Sequence, residues 1–547
     1  MTVPQTSAGL IYASYHTPRR VNTVQKGMRL ATRNWWENWW FLVAVALFTA
    51  LPLIFPETPP LVDVPGHIGR YRIELDLNSS PDLQRYFAFQ WRLIGNLGVD
   101  LLVIPLAPLI GLEPAVKVIV LTIPVLTSAG ILWTAKEVHG RVPPTALFAI
   151  PFVYGYPFNF GFINFALSVA LALLALALWL NLGRHNRPLL RALLFVPISC
   201  LIWLVHVFGW GVLGLTIWSA ELVRQHDERR NWVRSALGAT RSALVLAVPL
   251  LFMIVWRNGL ASGDTFGFFR FFSKIFSFAA ALRDRWLLWD TFGVAVAAML
   301  IGAAIFDRNL ELSRKLAIPA IALLVVFLLL PAEVFGSAYA DMRLAPLVLI
   351  VAIMAIRFRN FPGEQAAKSL VAGLGLLFVV LRLGATTVSF ALADNESQRD
   401  LQALNYMPRG ARVLFLSGEP CGKDWMMPRH THLGSFVIAR KFGFSNDQWQ
   451  SGGQLLRVPY PLAPGFRADP SGAIYSKECL AAAHPQLRKG EVLGRTTQQA
   501  LDQFPRRAFD FVWMSMPPNL DYRTPADLRL VWRDSDSMLF RVRHSPS

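Results

Sequence analysis

Between residues 39 and 390, long apolar runs alternate with short basic turns; beyond that the chain changes to short alternating stretches. VIVLTIPVLTSAGILWTA (118–135), FALSVALALLALALWL (165–180) and LAIPAIALLVVFLLLP (316–331) approach or exceed the ~17–20 residues a bilayer-spanning helix needs. The pattern predicts helices over 39–56, 115–136, 144–158, 163–182, 193–207, 208–223, 242–257, 287–306, 316–335, 344–356 and 369–390. LGVDLLVIPLAPLIGL (97–112) is apolar as well, but its two prolines and Asp100 predict a juxtamembrane or re-entrant helix. In GDTFGFFRFFSKIFSFAAALRDRW (263–286), Phe residues interleave with Arg270 and Lys274, the pattern of a helix lying in the interface plane. Later, ARVLFLS (411–417) and FDFVWMS (509–515) read as buried strands. LRLVWRD (528–534) and SMLFRVR (537–543) read as a hairpin around Ser535-Asp536, with helical stretches near 430–442 and 497–504.

The expected fold is mainly α: a polytopic bundle of about 11 transmembrane helices with a small extracytoplasmic α/β domain at the C-terminus. Its parts are a cytoplasmic segment (1–38), a transmembrane module (39–390) with a large first outer loop (57–115), and the extracytoplasmic domain (391–547). Composition agrees, since 54% of the 547 residues are hydrophobic and 16% charged, against about 25% charged in soluble proteins. The net charge of +18 lies in the short loops, as the positive-inside rule requires, with no basic face of the kind that binds nucleic acid. Cys200 lies in an apolar run. Cys421 and Cys479 fall in the outer domain, where a disulfide is permitted; two structural free thiols are the alternative.

Candidate chemistry gathers in the first outer loop, which is too polar to cross a bilayer. In DVPGHIGRYRIE, Pro65 can open a helix, placing His67, Arg70 and Glu74 on one face with Asp63 just ahead of the start. A sugar transferase needs a base for the acceptor's proton and a cation near the phosphate leaving group. Asp63 suits the first task and Arg70, Lys117 or Arg343 the second, with His67 orienting either. The competing reading makes Asp63 a helix cap and the others solvated charges. Asn96 and Asp100 share a face of the following helix, and Asn159, Asn164 and His206 mark other outer turns. Asp341 and Arg343 form a further outer pair, and Lys274 belongs to the interfacial helix. His430 and His432 are spaced i, i+2, poorly placed for one helical metal site. Neither a P-loop, HExxH nor GxSxG motif occurs.

DVPGHIGRYRI…WRLIGNLGVDLL, with the later GFINF and DMR pieces, resembles the GT-C superfamily of polytopic glycosyltransferases. That superfamily includes the dolichyl-phosphate-mannose protein mannosyltransferases and the bacterial aminoarabinose transferases. The closest pattern is D-x-P-x-H…P-N-L-x-x-D-L, with Gly95 standing where Pro is usual. The resemblance implies an inside N-terminus and an essential aspartate, here Asp63, soon after the first helix. It implies a sugar donor carried on a polyprenyl phosphate and transferred with inversion at the outer face of a bacterial inner membrane. The acceptor would be a hydroxyl on a glycan, lipid or protein. Asn159 and Asn164 stand where many such enzymes have a second acidic residue, so a divalent metal is not favoured and no cofactor is expected. A transporter, flippase or scaffold for lipid-linked glycans is the alternative from a different class.

Overall fold

In the computed structural model, residues 34–257, 265–334, 338–420, 424–450, 455–483, 494–518 and 521–544 are described. Five helices are long and apolar enough to cross a membrane: Leu112–His139, Ile163–Arg184, Pro188–Val205, Leu287–Phe306 and the helix beginning at Glu364. Shorter apolar helices pack among them, and leucines and phenylalanines such as Leu193, Leu288, Phe292, Phe306 and Leu370 point outward. An outward face of that kind is what lipid covers. The protein is a membrane protein, mostly helical.

Proline decides where several expected helices break. The first ends at Phe48, and a separate turn, Leu51–Ile54, carries Pro52. The expected helix over 144–158 is instead a fully buried 3₁₀ helix, Pro144–Tyr154, followed by Tyr156–Phe160. Pro151 sits inside it without an N–H to give, so regular α bonding cannot run through. The expected helix over 242–257 becomes Leu244–Leu246 and Pro249–Arg257, preceded by an amphipathic helix, Trp232–Ala243, that hydropathy alone does not reveal. Gly98–Ile110 is helical as expected, and at 13 residues it is about 20 Å long, too short to span.

The helix Glu364–Asp400 has 37 residues, about 55 Å against a hydrocarbon thickness of ~30 Å. It therefore leaves the membrane and carries the C-terminal part of the chain with it. There the strands form one mixed sheet in the order Phe444–Ser445, Arg412–Gly418, Phe511–Ser515, Ser537–Val542, Leu528–Arg533, with Ala473–Ile474 also beside Arg412–Gly418. Arg412–Gly418 runs parallel to Phe511–Ser515, and the final hairpin is antiparallel. Both buried strands and the hairpin lie where the sequence pattern puts them.

This sheet-bearing part is fastened to the segment between the first two apolar stretches. Ala88–Phe89 pairs with Leu456–Arg457, and the Arg72 guanidinium donates to the Ala439 carbonyl at 3.0 Å. The helix Ser435–Lys441 lies against Val64–Asp76 so closely that a Cβ on Gly69 would stand 2.9 Å from Ser435 Cβ. That segment and the C-terminal part thus share one buried surface, and the candidate site is on it.

Candidate active site

Asp63 ends the loop before the helix Val64–Asp76. Its carbonyl accepts from His67 N at 3.0 Å, yet its side chain makes no capping hydrogen bond. The carboxylate is instead turned to His432, whose Nε2 lies 3.7 Å from Asp63 Oδ1. His432 Nδ1 is hydrogen-bonded to Asp447 Oδ1 at 2.8 Å, and the other Asp447 oxygen accepts from Ser435 N at 2.8 Å. Trp449 closes the arrangement, its ring centroid 5.2 Å from that of His67 and 4.8 Å from that of His432. Gly66 lies under the indole, where any Cβ would meet it at 2.4 Å.

The backbone around Asp63 is set by the turn at Asn159–Gly161, just ahead of the next long helix. Val62 N and Asp63 N donate to the carbonyls of Asn159 and Phe160 at 3.3 and 2.9 Å. Gly161 has φ +102, and a Cβ there would fall 2.7 Å from Asp63 N. Gly161→Ala is therefore expected to displace Asp63 and to add roughly 1–2 kcal/mol of left-handed backbone strain. Its measurable effect is a lowered melting temperature.

Burial pushes the Asp63 carboxyl up to about 7, against the pull of His432; Asp469 pushes it further up and Arg343 pulls it down. Burial pulls His432 down, but Asp447, Asp469 and Asp63 outweigh it and hold the imidazole up at about 10. His67 goes the other way, down to about 3, through burial and the Arg70 charge, so it stays neutral. Burial also lifts Glu419, beside this group, to about 7. The site thus offers a buried carboxylate ready to take a proton, an imidazolium beside it, a guanidinium (Arg343) at its edge, and aromatic faces.

Other expected site residues are sorted by the structure into different tasks. Arg70 and Asp100 form a buried ion pair behind the site. Asn164 Nδ2 joins it, donating to Asp100 Oδ2 at 3.2 Å and to the Asn96 carbonyl at 3.3 Å, while Asn164 Oδ1 accepts from Val99 N at 2.6 Å. Asn159 donates to the carbonyls of Tyr154 and Arg283, both at 3.0 Å, and so clamps two segments together. Arg343 reaches His206 Nε2 at 3.3 Å and lies over Phe162, 4.2 Å from the ring centre. Lys274 is buried, not interfacial, and pairs with Asp341 at 2.9 Å. Lys117 donates to the Ile54 carbonyl at 2.8 Å from the second turn of the helix Leu112–His139. Cys421 lies outside the described residues; Cys479 is disulfide-bonded and Cys200 is free.

Glu74, beside Arg70 and Asp100, is pushed up to about 9 by burial and by the Asp100 charge. A carboxyl that ionises near 4.5 in the unfolded chain but near 9 in the fold destabilises the fold increasingly as pH rises between those values. Glu74→Gln is expected to raise the melting temperature at pH 8 and to leave it unchanged below pH 4.

His432, Asp447, Asp469, Glu419 and Trp449 belong to the site and were not assigned to it from sequence. The available signal was SNDQW (445–449), a polar run in which Ser445, Asn446, Asp447 and Gln448 are all buried.

Fold and site together define a multi-helix membrane protein with an aspartate-led polar site at one end of its helices, completed by a C-terminal sheet-bearing part. No family model matches the chain, nor does any curated protein sequence. Among solved structures it is similar to those of ArnT from Cupriavidus metallidurans. One, bound to undecaprenyl phosphate, is 12% identical, and one in the apo state is 15% identical. Each match covers 91% of this chain and 96% of the other, at a TM-score of 0.45. At that score the reading of the site rests on its own geometry.

Proposed function

We propose that the protein is a membrane glycosyltransferase of the GT-C type, with Asp63 as the general base. The observation that carries this is the Asp63 side chain. It sits at a helix start without capping it, and faces a buried imidazole supplied by a distant part of the chain. A carboxylate whose task was only to cap would accept from the amides of the first helical turn.

In this reading a sugar on a polyprenyl phosphate enters from the bilayer, and its acceptor arrives from the aqueous side. Asp63 takes the proton of the acceptor hydroxyl as the oxygen attacks the anomeric carbon, and the polyprenyl phosphate leaves from the opposite face, so configuration inverts. Arg343, held by Phe162 and His206, is the cation for the leaving phosphate. Arg70 is withdrawn from that role by its pairing with Asp100. The N-terminus lies in the cytoplasm, the sheet-bearing part lies outside the inner membrane, and about eleven apolar segments cross it. The Cys421–Cys479 pairing belongs to the same outward placement.

The test uses the purified protein in proteoliposomes with labelled polyprenyl-phosphate sugars and a mixed acceptor fraction from the cell envelope. Transfer releases polyprenyl phosphate and moves the label into acceptor. A transporter or flippase leaves the sugar on its lipid and moves the label across the bilayer, and that result would replace this reading.

A further inference from the structure

Beside Asp63 lies a group that base catalysis does not use. One ligating atom from each of His432, Asp447 and Asp469 lies within 4.8 Å of the others. A small cavity shares Asp447 and Asp469 with this group and is also lined by Ser417, Glu419, Thr431 and Asn446. Its open space is roughly that of one water-sized sphere. The Ser417 hydroxyl lines that cavity, is buried, and has no hydrogen-bond partner. A buried hydroxyl left unsatisfied costs about 1–3 kcal/mol, so something is expected to meet it.

Charge points the same way. Four carboxylates gather here: Asp63 Oδ1 stands 3.7 Å from His432 Nε2, Asp447 Oδ1 lies 2.8 Å from Nδ1, and Asp469 and Glu419 line the cavity beside them. His432 Nδ1 and Asp447 Oδ1 share a proton across 2.8 Å, and an ion held by both would displace it. The 3.7 Å between His432 Nε2 and Asp63 is too long for a hydrogen bond. A donor set of one imidazole with carboxylate and hydroxyl oxygens suits a divalent ion such as Mn²⁺ or Zn²⁺ better than a soft thiophilic one.

We infer that His432, Asp447 and Asp469, with Ser417 and Glu419 alongside, form a divalent cation site in the C-terminal part of the chain, against the catalytic aspartate. This reverses the metal-free expectation drawn from Asn159 and Asn164, because the acidic ligands come from the other end of the sequence. The ion would neutralise the acid cluster and tie the segments bearing His432, Asp447 and Asp469 into one rigid wall. The inference does not depend on glycosyl transfer, since its readout is binding.

The experiment takes full-length detergent-purified protein without a polyhistidine tag. Elemental analysis is followed by chelation and titration with MnCl₂, free Mn²⁺ being counted by electron paramagnetic resonance. Wild type is expected to bind one ion per chain and to melt higher with it. Asp469→Asn is expected to lose that ion and the melting shift, and Ser417→Ala and Glu419→Gln to bind about 10- to 100-fold more weakly. Should Asp469→Asn fail to fold, the other two variants decide. Asp527→Asn, in a remote surface ion pair with Arg506, is expected to bind as wild type does. An adventitious ion only — substoichiometric metal, or binding indifferent to all three site variants — would overturn the proposal, as would wild type binding neither Mn²⁺ nor Zn²⁺ at millimolar concentration.

Discussion

Asp63→Asn is expected to fold, to bind donor, and to lose transfer by a factor of about 10²–10⁴, the usual contribution of a positioned general base. Asparagine keeps the size of the side chain and removes only the ability to take a proton. Folding is not expected to suffer, because the aspartate carboxylate caps no amide and burial already disfavours its charge. Single-turnover transfer from a labelled donor, measured beside donor affinity and melting temperature, separates the three effects. A variant that transfers at the wild-type rate would make Asp63 structural and move the base elsewhere on this surface.

Asp100→Ala is expected to have the largest effect on stability. Arg70 and Asp100 are 4% and 0% exposed in their side chains, so neither charge reaches water. Removing one member of a buried pair leaves the other charged and unpaired, at a cost of about 3–5 kcal/mol. Asn164 would lose a partner at the same time. Replacing both, as Arg70→Met with Asp100→Leu, is expected to recover much of the loss, because paired burial itself contributes little. Thermal unfolding in detergent reads both variants. Equal stability of the single and double variants would show that the pair is not the fastening between these helices.

Hydropathy made much of this architecture legible. Helices around 115–136, 163–182, 193–207, 208–223 and 287–306 appear close to their expected limits, as do the strands around 411–417 and 509–515. Errors fall at proline, where an apolar run continues but α bonding cannot, as at Pro52 and Pro151. Asp63 and His67 stood out because an acid followed by a helix start is a local pattern. Their partners did not, because His432 and Asp447 lie more than 360 positions further along the chain and reach Asp63 only when the C-terminal part packs against the helix Val64–Asp76. The i, i+2 spacing of His430 and His432 argues against one metal site only on a helix; both lie in turns, and His430 contacts the Gly418 carbonyl. Arg70 shares a helix face with His67, which suggests a phosphate partner. Nothing local to it reveals that Asp100 folds in behind that face.

A structure with a polyprenyl-phosphate sugar bound shows which site holds the donor. The sugar is expected between Asp63, His432 and Trp449, with its phosphate near Arg343. Donor found instead in the 680 Å³ cavity at the other end of the helices, between Arg141, Arg357 and Lys368, would contradict that placement.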